Sequence, residues 1–90
     1  MITLQDFCDI LSLEINIKYY PNQNGRWSAS IKGAEMKEKS SSCGLLSEYG
    51  SGKSPEAAIN DYISKIIGKL MVINATGDDR REHVVPVIQR

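Results

Sequence analysis

Few residues in this sequence are of types that do chemistry, and they are scattered. Gly50-Ser51-Gly52-Lys53-Ser54 ends like a phosphate-binding loop, where backbone amides cradle phosphates and a lysine reaches the outer ones. The full pattern needs glycine five residues before Gly52, and Ser47 stands there. No apolar strand ending in aspartate is present to hold magnesium, so the pentapeptide reads as a turn followed by a helix cap. His83 is the single histidine, set between Glu82 and Val84. A general base needs an oriented nucleophile or metal beside it, and none accompanies His83. Asp78, Asp79 and Glu82 offer oxygen ligands without the loop spacing of a hard-cation site, and read as exposed turn charges. Cys8 and Cys43 are too few for a disulfide scaffold and read as buried apolar fillers. The expectation is a protein without catalytic activity, metal or cofactor.

A different constellation is more informative. Asn16, Lys18, Tyr20, Arg26, Ser28, Ser30 and Lys32 fall on alternate positions of two extended stretches, so a hairpin would line them up on one face. That face holds three cations, an aromatic ring and no acid. Residues 26–54 carry five Lys or Arg against three Asp or Glu, a local basic bias in a chain of zero formal charge. Such a face suits an acidic protein surface or a phosphate backbone. The plain alternative is a solvated sheet face. The candidate partner-binding residues are Lys18, Tyr20, Arg26, Ser28 and Lys32, followed by Glu35, Lys37, Glu38 and Lys39 in the next loop. Lys53, Lys65 and Lys69, on or beside the main helix, are the candidates for nucleic acid.

Bulk composition sets the frame. Ninety residues make one domain, with residues 1–75 as its body and 76–90 as a partly extended tail. Hydrophobic residues are 41% and charged ones 24%, a globular balance. Equal numbers of acids and bases, 11 each, count against a dedicated binder of bare nucleic acid. No stretch approaches the ~18 apolar residues of a membrane span, and none opens the chain as a signal peptide would. A cytoplasmic protein without membrane contact is expected.

The elements that position the face follow from periodicity. Thr3 can cap a helix over residues 4–12, with Leu4, Phe7, Cys8 and Leu11 on one side. From Glu14 the period becomes two: Ile15, Ile17 and Tyr19 alternate with Asn16, Lys18 and Tyr20. Asn24-Gly25 suits positive φ, and a second strand follows over 26–32, its Trp27, Ala29 and Ile31 facing the core. Residues 33–42 read as a long polar connection, and 43–49 as a third strand. After the glycine turn, Ser54 caps and Pro55 starts a helix with Ala58, Ile59, Tyr62, Ile63, Ile66, Ile67 and Leu70 on one stripe. Gly68 should end it, leaving residues 70–73 as a fourth, edge strand. Pro86 argues against a central strand in the tail. The expected fold is α+β: a two-layer sandwich of N-terminal helix, three-stranded antiparallel meander and C-terminal helix, then a short edge strand or tail.

That order, with GSGKSPEAAINDYISKIIGKL running from a glycine turn into the second helix, resembles the double-stranded RNA-binding domain over residues 3–70. The resemblance implies RNA contacts from lysines where the second helix begins. Lys53 stands there, but Pro55 and Glu56 occupy positions of further lysines, and residues 21–25 replace the family's Gly-Pro-x-His loop. Ser54-Pro55-Glu56-Ala57-Ala58 is also similar to the strand-to-helix junction of HicB-type antitoxins, over residues 14–70, which implies a toxin as partner. In size and layout the chain resembles small bacteriophage accessory proteins, anti-CRISPRs among them. The leading expectation is thus a non-catalytic inhibitor that docks on a host protein or protein complex, as monomer or homodimer. A nucleic-acid-binding module and an antitoxin-like partner are the alternatives.

Overall fold

The computed structural model describes residues 2–37 and 44–89. Glu38, Lys39 and Cys43, singled out from the sequence, lie outside the described residues. The chain begins with β1 (Ile2–Thr3) and runs directly into α1 (Leu4–Ile10). Thr3 and Asp6 close a capping box there. The Thr3 hydroxyl accepts the Asp6 amide at 3.1 Å, and the Thr3 amide donates to Asp6 Oδ2 at 3.3 Å. Leu4, Phe7 and Cys8 turn the apolar side of this short helix inward.

Two strands follow, β2 (Ile15–Tyr20) and β3 (Arg26–Ile31), joined by a 3₁₀ turn at Pro21–Gln23. Asn24 and Gly25 take φ of 59° and 69°, the left-handed pair that brings the strands back side by side. The hairpin is in register with Ile17 opposite Ala29 and Tyr20 opposite Arg26. Ala29 and Ile31 are buried, while Trp27, expected in the core, is half-buried and packs its ring 5.0 Å from that of Tyr19.

Beyond the hairpin the fold departs from the expected sandwich. No single three-stranded meander stands between two helices among the described residues. Among the described residues, two helices and eight strands form three small sheets, in a mixed α+β arrangement. Gly33 (φ 77°) turns the chain out of the hairpin into β4 (Ala34–Lys37), which had read as polar connection. Its Met36 is buried and its charged neighbours alternate outward, so four residues suffice for a strand. Of the expected third strand, described residues 44–49 contribute one bridge, Leu46 to Met36. The strand that pairs with β3 is instead β5 (Gly50–Gly52), the expected glycine turn.

The reason lies in α2 (Pro55–Ile66), which packs on β5 and β3. A Cβ on Gly50 would meet the Ala58 carbonyl and the Tyr62 backbone, and one on Gly52 would stand 2.6 Å from Ala57 Cβ. Only bare backbone lets a strand approach a helix so closely. Ser54 caps α2 by accepting the Ala57 amide at 3.1 Å, Pro55 holds the first position, and Gly68 turns the chain at φ 81°.

β6 (Leu70–Ile73) follows, then β7 (Arg81–Val84) and β8 (Ile88–Gln89). β6 was expected at an edge but is the middle strand between β4 and β7, with Met71, Val72 and Ile73 all buried. An apolar run covered on both faces is what a middle strand needs. β8 pairs in parallel with β1, and Val85 and Ile88 enter the core beside Leu4 and Phe7. Among the described residues, no helix is long and apolar enough to cross a membrane.

Candidate functional site

The candidate face belongs to the sheet β2–β3–β5, on the side away from α2. Three residues lie in one row across it: Lys18 on β2, Ser28 on β3 and Ser51 on β5. Tyr20 and Arg26 pair directly beside that row. Arg26 Nε donates to Ser51 Oγ at 2.9 Å, which ties the guanidinium to β5. Lys18 Nζ stands 5.4 Å from the centre of the Tyr20 ring, a cation–π contact on the exposed rim.

Ser47, Glu48 and Tyr49 wall this face on its third side. A cleft of about 370 Å³ results, lined by Tyr20, Arg26, Ser28, Ser47, Tyr49 and Ser51 among others. Glu48 also reaches it, so the expected acid-free face acquires one carboxylate from a segment distant in sequence. That charge is balanced, because Lys69 Nζ lies 3.5 Å from Glu48 Oε2.

The outer edge of β5 is closed by a side chain. The Ser51 amide donates to Asp61 Oδ2 at 2.8 Å, and Lys65 Nζ sits 3.1 Å from the same oxygen. The backbone hydrogen bond from Ser51, with Lys65 and Arg26 adding to it, holds the Asp61 carboxyl below the usual range. Lys65 Nζ also donates to the Tyr49 carbonyl at 3.1 Å and lies 5.6 Å from the centre of its ring. Arg26, Ser51, Asp61, Lys65 and Tyr49 thus form one connected polar chain from the cleft floor to its rim.

The other sequence candidates separate. Lys32 and Glu35 line a second depression of about 390 Å³, and Lys32 stands 3.8 Å from Glu14. Lys37 is half-buried on β4, opposite Leu70. Lys53 is exposed ahead of α2, whereas Lys65 and Lys69 face Asp61 and Glu48. Ser51, Tyr49, Asp61 and Glu48 were not singled out from the sequence as site residues. One signal was present for Ser51. Glycine, serine, glycine is a period-two pattern whose inner positions are bare, a strand laid against backbone.

The phosphate-loop fragment has no cradle. Gly50 and Gly52 stand opposite Ala29 and Trp27 in the sheet, and the Ser51 amide is committed to Asp61. His83 sits on β7 opposite Met71, half-buried, with Nε2 lacking a partner among the described residues. Asp79 accepts from Asn74 at 2.9 Å and Glu82 from Arg80 at 2.9 Å, which leaves no grouping of three ligands among the described residues. Cys8 is fully buried, and desolvation, with Asp9 adding to it, pushes its thiol up to about 11.

Comparison with protein-family models, with curated proteins and with solved structures finds no match to this chain. The likenesses to double-stranded RNA-binding domains and HicB-type antitoxins therefore stand on the quoted residues alone.

Proposed function

We propose that this protein is a non-catalytic binding protein that docks on a protein partner through the open face of β2–β3–β5. Arg26 and Lys18 receive acidic side chains of that partner, and Tyr20 and Tyr49 frame them. One observation carries this reading. Arg26 is tied to Ser51 at 2.9 Å inside a cleft flanked by two tyrosines. A guanidinium held in place loses less side-chain freedom on binding than a free one, and it offers a fork that matches a carboxylate. Arginine and tyrosine in a partly desolvated depression are also the residue types on which interface affinity concentrates. The second reading, duplex nucleic acid, has weaker support, because two of its three lysines face carboxylates within the protein.

The test is comparative capture from the native cell, read by mass spectrometry, with Lys18→Glu/Arg26→Gln beside the wild type and Lys53→Glu as control. A partner retained by wild type and Lys53→Glu but lost by the double variant supports the reading. Equal retention by all three removes the face from consideration. Binding to duplex RNA or DNA with a steep log–log dependence on salt, lost in Lys53→Glu, would favour the second reading instead.

A further inference from the structure

The two edges of the sheet β2–β3–β5 are treated differently. At β5 the outward amide of Ser51 is taken by Asp61. At β2 nothing equivalent occurs. The Lys32 amide donates to the Glu14 carbonyl at 2.9 Å, which sets the phase of the ladder. Asn16, Lys18 and Tyr20 therefore bond to β3, while the amide and carbonyl groups of Ile15, Ile17 and Tyr19 point to the open edge. Among the described residues none of those groups has a hydrogen-bond partner. Ile17 and Tyr19 are also 44% and 48% exposed, on the side chains' core-facing side, because α2 covers β3 and β5 but stops short of β2. A six-residue edge with no proline, no bulge and exposed apolar side chains lacks the devices that keep edges apart, Lys18 being its single charge.

We propose that β2 pairs antiparallel with β2 of a second copy, about a twofold axis through Ile17. The side-chain pattern selects both this occupant and this register. With Ile17 opposite its own copy, Ile15 meets Tyr19 of the second molecule, an aliphatic–aromatic pair on one face. On the other face Asn16 meets Lys18, and Glu14 lies on a diagonal from Lys18 of the second molecule, close enough for the charges to attract. Sliding the strands by one ladder step one way would set Lys18 directly opposite Lys18 and bring Pro21 against Ile15, a like-charge pair and a missing donor. Sliding them the other way would set Glu14 opposite Lys18 but bring Tyr19 against Leu13, outside β2, and leave only the two Ile15–Ile17 pairs of the strand to exchange bonds. The Ile17-centred pairing forms about six backbone hydrogen bonds and joins the sheets into one of six strands. It also places the two open faces side by side, so a partner with repeated acidic sites meets two clefts.

The experiment measures mass in solution by sedimentation and native mass spectrometry, on the full chain. Wild type is expected at twice its 10.0 kDa chain mass, and Ile17→Lys at the chain mass with an unchanged far-ultraviolet circular dichroism spectrum. Should Ile17→Lys fail to fold, Ile17→Cys in a Cys43→Ser background decides. Two cysteines facing each other across a hydrogen-bonded pair have Cα atoms about 5.5 Å apart, within disulfide reach, so mild oxidation should give a covalent dimer. Tyr19→Cys in the same background should not. A monomeric wild type up to about 1 mM, or a dimer that Ile17→Lys leaves intact and Ile17→Cys does not crosslink, overturns the proposal. An extended peptide bound at β2 of a monomer would do the same. None of these substitutions touches Arg26, Ser51 or Tyr49, so failure here leaves the open-face reading standing.

Discussion

The phenolic oxygen of Tyr62 accepts the amide hydrogen of Ile31 at 3.1 Å. The register of β3 with β5 would place residue 48 opposite Ile31, but the chain is not in the sheet there, and the Tyr62 hydroxyl takes the missing rung. Tyr62 is completely buried, so helix and sheet are joined by a polar contact inside the core.

Tyr62→Phe leaves the Ile31 amide buried without a partner. The expected cost is about 1–3 kcal/mol, read from urea denaturation, against little change for Tyr49→Phe on the exposed rim. Alkali supplies a second readout. Burial raises the Tyr62 hydroxyl from 10.0 to about 12, so the folded state resists ionisation that the unfolded chain undergoes. The stability this group contributes is present below pH 10 and is lost as pH rises toward 12. In Tyr62→Phe that part of the alkaline decline should disappear.

Gly50 and Gly52 should tolerate no side chain. Gly50→Ala sets a methyl group against the backbone of Ala58 and Tyr62, and Gly52→Ala against Ala57. Backbone cannot step aside as a side chain can, so each should cost at least the ~1–3 kcal/mol of an overpacked core. Gly44→Ala meets nothing within 4 Å and should melt with the wild type. Thermal unfolding of the three variants is the measurement.

Asp61 closes the β5 edge and carries a lowered carboxyl. A depressed folded-state value means that its contribution is present above the ordinary 3.8 and is lost as pH falls below it. Asp61→Ala should remove that acid-side decline and speed hydrogen exchange of the Ser51 amide on the order of tenfold, the scale of one charge-assisted bond. Unchanged exchange at Ser51 would mean that the edge is closed by something else.

Cys8 should be silent. With no exposed surface and a thiol near 11, it should resist alkylation at pH 8 in the folded state and react at once in urea. Rapid native modification, located by peptide mass mapping, would contradict the packing of α1.

The local chemistry of this protein was legible in its sequence. Thr3 and Ser54 as caps, Pro55 as the first helical residue, Asn24-Gly25 as a left-handed turn, and Gly68 at positive φ each depend on neighbours within a few positions. The pairing of Lys18, Tyr20, Arg26 and Ser28 on one face is of the same kind, since alternation and a short turn decide it. What lines the cleft opposite them was not legible, because Ser47, Glu48 and Tyr49 take their places from contacts across the fold.

The division follows from where each interaction reaches. A glycine-serine-glycine run is a turn by local preference and became β5 only because Ala58 and Tyr62 offered backbone for it to lie against. A charged stretch after Gly33 became β4 because residues 70–73 stood ready to pair with it, and those residues became a middle strand because β4 and β7 came to both sides. Sequence alone thus determined the caps, the Asn24-Gly25 turn and the hairpin. The three sheets, the closed edge at β5 and the open one at β2 were decided by tertiary packing, since whether a strand's groups are paired depends on what the rest of the chain brings beside them.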